Sequence, residues 1–259
     1  DVQEVDWVAR KGLPILVLNT MATLLGLAAF VLGIVLLEGN AVLGGVLMGL
    51  GILYSFVIGP ILYCGLRVLR PGEAMVLTLF GDYIGTLKGE GFYFVHPFAT
   101  AMPVPGQAST TGSLSAEISV PAGQAGEGGK TVVRPNKKLS LKAMTLGNDR
   151  QKINDKMGNP IIIGIVVIWR VVDTAKAMFN VDDYIEFLSI QCDSALRNIV
   201  RMYPYDAADT EDMSEKSLRG SSAEISEKLC AEIGEKVVVA GLEVMEARIT
   251  HLAYAPEIA

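Results

Sequence analysis

The 259-residue chain carries 22 Lys and Arg against 28 Asp and Glu, and its net charge of −6 argues against a general nucleic-acid surface. Its 51% hydrophobic content and mean hydropathy of +0.39 are inflated by one N-terminal stretch; the roughly 190 residues after it are an ordinary globular mixture, with room for one or two small domains. Cys64, Cys192 and Cys230 lie far apart, form neither a disulfide framework nor a zinc pattern, and fit a reducing cytoplasm.

Residues 1–14 read as an N-terminal cytoplasmic segment and 15–66 as a membrane hairpin with spans at 15–37 and 41–66. No charged side chain occurs between Lys11 and Glu38, or between Glu38 and Arg67. As a helix the first stretch reaches about 35 Å, enough for a hydrocarbon core of about 30 Å, and helix is the form that satisfies the backbone in lipid. Gly26, Gly33, Gly44, Gly45, Gly49 and Gly51 suggest close helix packing. Asn19, the one strongly polar side chain in a span, suits a hydrogen-bonded packing role better than an ion pathway. Glu38, Gly39 and Asn40 form the membrane tip. Arg10 and Lys11 before the first span, with Arg67 and Arg70 after the second, set the orientation: both flanks are expected in the cytoplasm and the tip outside. A shallow hairpin in one leaflet is the weaker alternative, and two full-length spans in succession argue against a cleaved signal peptide. Because the chain begins with Asp1, its true start is expected to lie further upstream.

Beyond the hairpin, Arg70-Pro71-Gly72-Glu73 reads as a turn. Ala74–Phe80, Ile84–Leu87 and Phe92–Val95 read as three short strands of a β-meander lying against the bilayer. Its aromatics Tyr83, Phe92, Tyr93 and Phe98 are candidate membrane-surface contacts, with filling of the meander's own core as the alternative. Residues 101–130 are rich in Gly, Ala, Ser, Thr and Pro and read as a long flexible insertion. Leu139–Leu146 alternates as a half-buried strand does, and Gln151–Asp155 suggests another. Pro160–Val172 is a β-branched run too short to cross a membrane as a helix, so it is expected as a central strand. Asp173 can cap a helix over Thr174–Phe179. Asp182-Asp183 opens a longer helix to about Tyr203, with Tyr184, Leu188, Ala195, Leu196, Ile199 and Tyr203 on one buried face. A second long helix is expected from about Ser214 to Ala240, with Leu218, Ile225, Leu229 and Ile233 as its stripe and Gly241 as its cap. Leu242–Leu252 returns to strand alternation. Pro256-Glu257 resembles the first turn of a further helix, so the protein is expected to continue past Ala259.

These residues resemble the SPFH or band 7 family (stomatin, prohibitin, flotillin and HflK/HflC proteins). Val68–Ala74 with Phe80-Gly81 is similar to its opening strand and turn. Gly89–Phe98 resembles its "PGxHFxxP" segment, with Glu90 where proline is usual. Asp155–Ile161 and the run to Val172-Asp173 resemble its "T-x-D-G-x-P" turn and "Y-R-V-x-D" strand. Ala195-Leu196-Arg197, Gly241–Val244 and Arg248-Ile249 with Pro256–Ile258 follow in the family's order. The resemblance covers about 67–259 and implies an α+β fold: subdomain 1 over 67–180, with 101–130 inserted, and subdomain 2 over 181–259. It further implies large rings or cages of this chain that scaffold membrane patches and membrane proteins, proteases among them.

Chemistry is poorly supported. Ser189, Ser194, Ser214 and Ser217 lack a Gly-x-Ser-x-Gly setting. His96 and His251 are far apart, and the carboxylate pairs Asp182-Asp183 and Glu211-Asp212 suit helix starts. The glycines of 123–129 with Lys130 lack the strand and helix of a nucleotide loop. No cofactor, metal or catalytic residue is expected. Cys64, at the cytoplasmic end of the second span, is a candidate for reversible acylation, a buried thiol being the plainer reading. Arg219, Glu224, Glu227, Lys228 and Glu232 give the last helix a charged face, either solvated or an inter-protomer contact. The reading is a non-enzymatic, homo-oligomeric scaffold of a bacterial-type inner or plasma membrane whose partners are lipid, itself and membrane proteins. A channel or transporter subunit is the alternative from another class, and a membrane-bound hydrolase a third.

Overall fold

The computed structural model describes residues 3–7, 10–105, 136–148, 150–206 and 217–256. They divide into two compact units. One holds Val5–Met102 with Lys137–Leu139; the other holds the first four residues, Pro103–Asn136 and Ser140–Ala259.

The first unit is built around the hairpin. A short strand β1 (Arg10–Lys11) leads straight into helix α1 (Gly12–Leu36). The return begins as α2 (Ala41–Ile52), passes through a π-helical turn over Leu53–Ile58 and ends as α3 (Gly59–Cys64). Gly12–Leu36 and Ala41–Cys64 are both long and apolar enough to cross a membrane. The π turn has a local cause: Pro60 has no N–H to give the carbonyl four residues back, and its ring crowds that carbonyl, so the preceding turn widens. The Gly59 N–H accordingly bonds to the Tyr54 carbonyl, five residues back.

Glycines let the two helices touch at their backbones. A Cβ on Gly33 would lie 2.7 Å from the Met48 nitrogen, and one on Gly51 would lie 2.5 Å from the Gly26 carbonyl oxygen. Gly26, Gly33, Gly44 and Gly51 form this contact, whereas Gly45 and Gly49 face open space, so the six glycines read together from the sequence serve two different faces. Polar groups join the same seam. Asn19 donates from Nδ2 to the Gly59 carbonyl at 3.1 Å and accepts at Oδ1 from the Tyr54 hydroxyl at 3.1 Å. Ser55 donates to the Thr23 carbonyl at 3.2 Å, and Thr20 and Tyr63 share a hydrogen bond of 2.8 Å. The expected packing role of Asn19 is what the geometry gives.

After Gly65 come β2 (Leu66–Leu69), β3 (Glu73–Leu79), β4 (Asp82–Lys88), β5 (Gly91–Phe94) and β6 (Thr100–Ala101). The second span therefore stops at Cys64, and Leu66 belongs to a strand. The expected meander is also corrected. The tight turn at Arg70–Glu73 reverses the chain, so β3 pairs with β4 and with β6, while β5 pairs instead with β2 and β1. Strand β7 (Leu139–Ser140) adds to β3. Leu69, Met75, Leu77, Leu87, Val95 and Ala101 are the core between these strands, with Trp7, Ile84 and Tyr93 packed against it.

The second unit centres on β10 (Pro160–Val171), the run too short for a third span. It pairs along its whole length with β11 (Leu242–Tyr254) and on its other edge with β8 (Met144–Gly147) and β9 (Gln151–Asn154). Alternate residues Ile161, Ile163, Ile165, Val167, Trp169 and Val171 are buried. Helix α4 (Thr174–Phe179) is capped by Asp173, whose Oδ1 accepts from the Lys176 N–H at 3.0 Å. Helix α5 (Tyr184–Val200) is capped by Asp183, which accepts from Ile185 and Glu186. Both carboxylates stand where the helix dipole favours them. Helix α6 (Ser222–Val237) buries Ile225, Leu229, Ile233 and Val237, and Gly241 closes its 3₁₀ extension in the left-handed region at φ 65°.

Two element boundaries differ from expectation. The strand read over Leu139–Leu146 breaks into β7 and β8, because the Ser140 hydroxyl accepts the Lys142 N–H in a local turn. The last helix begins at Ser222, since a turn over Leu218–Gly220, in which the Ser217 hydroxyl accepts the Gly220 N–H at 3.0 Å, holds Leu218 in the core without helix. Strand β11 returns to pair with β10, so the residues on either side of position 180 share one sheet. Most of the 101–130 insertion, Glu211-Asp212, Ser214, and Glu257 of the expected further helix lie outside the described residues.

Candidate functional site

The ends of the hairpin meet in one small sheet. Strand β1 enters α1 directly, α3 leaves through Gly65 into β2, and β5 lies between β1 and β2. Arg10 is opposite Phe94 and Lys11 opposite Tyr93; on the other side Leu66 is opposite Phe94 and Arg67 opposite Tyr93. Close approach makes this possible: a Cβ on Gly12 would lie 2.9 Å from the Phe92 ring, and one on Gly65 would lie 2.4 Å from the Val95 carbonyl oxygen. The order β1-β5-β2 thus clamps both helices to one strand, forming a collar. It gathers three of the four orientation-setting cations, Arg10, Lys11 and Arg67. Arg70 stands apart, in the turn that leads to β3.

The four aromatics separate. Phe92 is half-buried, in contact distance of the start of α1. Tyr93 is half-buried and donates to the Glu90 carbonyl at 3.0 Å. Tyr83 is half-buried and shares a hydrogen bond of 2.8 Å with Thr86. Only Phe98 is exposed, at 57%. It stacks with Phe80, ring centroids 6.4 Å apart. Phe80, read from the sequence as a strand end and turn residue and not as a surface contact, is 87% exposed and holds φ 53°, a left-handed conformation costly for a bulky residue. Its sequence signal was its place before Gly81 at a strand tip. Strand β5 runs antiparallel to β2, so the chain after Phe94 heads back to the hairpin, and the Val95 N–H donates to the Gly65 carbonyl at 2.9 Å. The Phe80–Phe98 pair therefore lies on the hairpin side of this unit.

At the far end of the hairpin, Glu38 and Gly39 form a turn, and Asn40 caps α2 by accepting the Leu43 N–H at 3.3 Å. Cys64, the last residue of α3, is not covered by the protein itself, whereas Cys192 is buried. Burial, with Asp193 beside it, pushes the Cys192 thiol up to about 12 and leaves it inert. In detergent, a membrane-permeant maleimide is expected to modify Cys64 in minutes and Cys192 only after denaturation, as mass spectrometry of peptides would show.

Several charged residues of the second unit pair with one another. Arg219, in the turn before α6, reaches Asp206 at 3.4 Å. Lys228 pairs with Glu224 at 3.2 Å and with the Tyr203 hydroxyl; these bonds to Tyr203 and Glu224 hold the ammonium above its ordinary range. Glu232 accepts from Lys236 at 3.0 Å and from Asn198 at 2.9 Å. Glu227 is exposed. A shallow groove along α5 is lined by Ile190, Asp193, Ser194, Arg197, Asn198 and Arg201, a set without histidine to activate Ser194. Among the described residues, no group of three or more His, Cys, Asp or Glu is placed to hold a metal ion.

Comparison with protein families matches the model of the SPFH domain / Band 7 family to residues 67–259, about three quarters of the chain. The chain belongs to the SPFH domain / Band 7 family. The match starts at Arg67, inside β2, so the SPFH domain begins within the collar, almost without a linker after the second helix. SPFH proteins are membrane-associated scaffolds, generally without enzymatic activity. A search of curated proteins found no match to the chain.

Proposed function

We propose that this SPFH protein is a non-enzymatic, homo-oligomeric scaffold that encloses a patch of membrane and organises membrane proteins there, proteases among them. The observation that carries the reading is the collar: a two-helix hairpin passes into the SPFH domain through strands paired on both sides of β5. With the hairpin in a bilayer, the domain's first strands lie at its surface. In this reading both hairpin ends and the domain lie on the cytoplasmic side of a bacterial-type inner or plasma membrane, and the Phe80–Phe98 pair sits in the headgroup region. The exposed face of α6, with Glu227 and Lys228, the turn before it, with Arg219, and the groove on α5 are the surfaces through which neighbouring copies would pack. Many copies, each with two helices, gain avidity for the bilayer.

The channel alternative has little support in the hairpin. Both functions of the Asn19 carboxamide are taken up by bonds between the helices. Extraction in mild detergent and particle imaging test the scaffold reading: large assemblies of uniform size are expected, and monomers at every concentration would contradict it. Ion flux through reconstituted protein, abolished by Asn19→Leu, would favour the channel.

A further inference from the structure

We propose that the collar is a binding site for the phosphate of an anionic phospholipid, with Lys11 and Arg67 as its ligating side chains. Residues directly opposite on antiparallel strands point to the same face, so Lys11, Tyr93 and Arg67 form one row across β1, β5 and β2. The outer two backbones lie two strand spacings apart, about 10 Å, a gap that these long side chains can close around one phosphate. Arg10, beside Phe94, adds positive charge from the opposite face.

Two observations indicate that the row lacks its partner. No carboxylate pairs with Arg10, Lys11 or Arg67 among the described residues, although the chain as a whole is acidic and several cations elsewhere, Lys88, Lys138, Arg170 and Lys236 among them, find acids. The Nε–H of Arg67 is buried and has no acceptor. Buried donors in folded proteins are almost always satisfied, and guanidinium is suited to phosphate oxygens. The position selects the source of that phosphate. Lys11 immediately precedes Gly12, the first residue of one helix, and Arg67 follows Cys64, the last residue of the other, by three positions. Granted a hairpin that crosses a bilayer, as proposed above, both side chains sit at headgroup depth, where a lipid phosphate is held in place and a free anion is not. Zwitterionic lipids offer the same phosphate with a covalently attached cation, so the uncompensated row favours a net-negative headgroup.

The test uses the full chain in detergent, incubated with mixed micelles of phosphatidylglycerol and phosphatidylcholine in equal amounts, then re-isolated for quantification of bound lipid. Phosphatidylglycerol is expected to be enriched about thirtyfold over phosphatidylcholine, from two cations at about 1 kcal/mol each near the surface, and the enrichment should fall toward unity in Lys11→Gln/Arg67→Gln. The control Lys142→Gln should retain it. Should the double variant fold poorly, raising the salt from low to high concentration on the wild type must reduce the enrichment, since the interaction is ionic. Equal retention of the two lipids by the wild type, undiminished enrichment in the double variant, or complete displacement by inorganic phosphate at equal concentration would overturn the assignment. Stable reconstitution into pure phosphatidylcholine vesicles reports on the hairpin separately, so failure of the site and failure of membrane insertion can be told apart.

Discussion

Gly241→Val is expected to unfold most of the second unit's cooperative stability, by roughly 3–5 kcal/mol from left-handed backbone strain and steric overlap together. Gly241 sits at φ 65°, and a Cβ there would lie 2.3 Å from the Asp173 carbonyl oxygen and 2.9 Å from Cβ of Lys176. Its own carbonyl accepts the N–H groups of Val172 and Asp173 at 2.9 and 3.1 Å. The residue thus joins the end of α6, the start of β11 and the end of β10 at one point. A β-branched side chain cannot adopt the conformation, and no flexible neighbour can give way, because the obstacle is backbone. Gly158→Ala separates the two causes: Gly158 is also left-handed, at φ 87°, but faces open space, so about 1 kcal/mol of strain alone is expected. Denaturant unfolding followed by circular dichroism measures both; equal losses at the two positions would contradict the packing argument.

Gly51→Leu is the second large effect. The helices meet with a hypothetical Gly51 Cβ 2.5 Å from the Gly26 oxygen and 2.8 Å from the Phe30 nitrogen. A leucine must push the helices apart, and the bonds of Asn19 to Gly59 and Tyr54 stretch with them. A loss of about 3 kcal/mol is expected, since small residues in membrane hairpins work by letting backbones touch. Gly49→Leu, two residues away and facing open space, is expected to be neutral. Spin-label pairs across α1 and α2 would report a wider helix separation for the first variant and an unchanged one for the second.

Much of the fold was legible because its elements carry local signals. The two charge-free stretches gave the hairpin, β-branched residues gave β10, and Asp173, Asp183 and Gly241 marked helix ends at the places where their side chain or backbone is used. Pairing was less legible. Nothing local in Phe92–Val95 distinguishes a third meander strand from one that turns back to Leu66–Leu69; that choice is made by the reversal at Arg70–Glu73 and by the backbone contact at Gly65, both non-local in effect. For the same reason the sequence identified Arg10, Lys11 and Arg67 as flanking charges without revealing that β5 gathers them. Phe80 was legible as a strand end before a turn but not as a surface aromatic, because its exposure and positive φ exist only in the folded chain.

Topology tests the central claim most directly. With native cysteines replaced, a membrane-impermeant maleimide applied to intact cells is expected to label Asn40→Cys at the hairpin tip. It should reach Lys228→Cys, on the SPFH domain, only after the membrane is permeabilised. Labelling of Lys228→Cys in intact cells, or a tip at Asn40→Cys that stays protected until lysis, would contradict a hairpin that crosses the membrane and holds the SPFH domain against its cytoplasmic face.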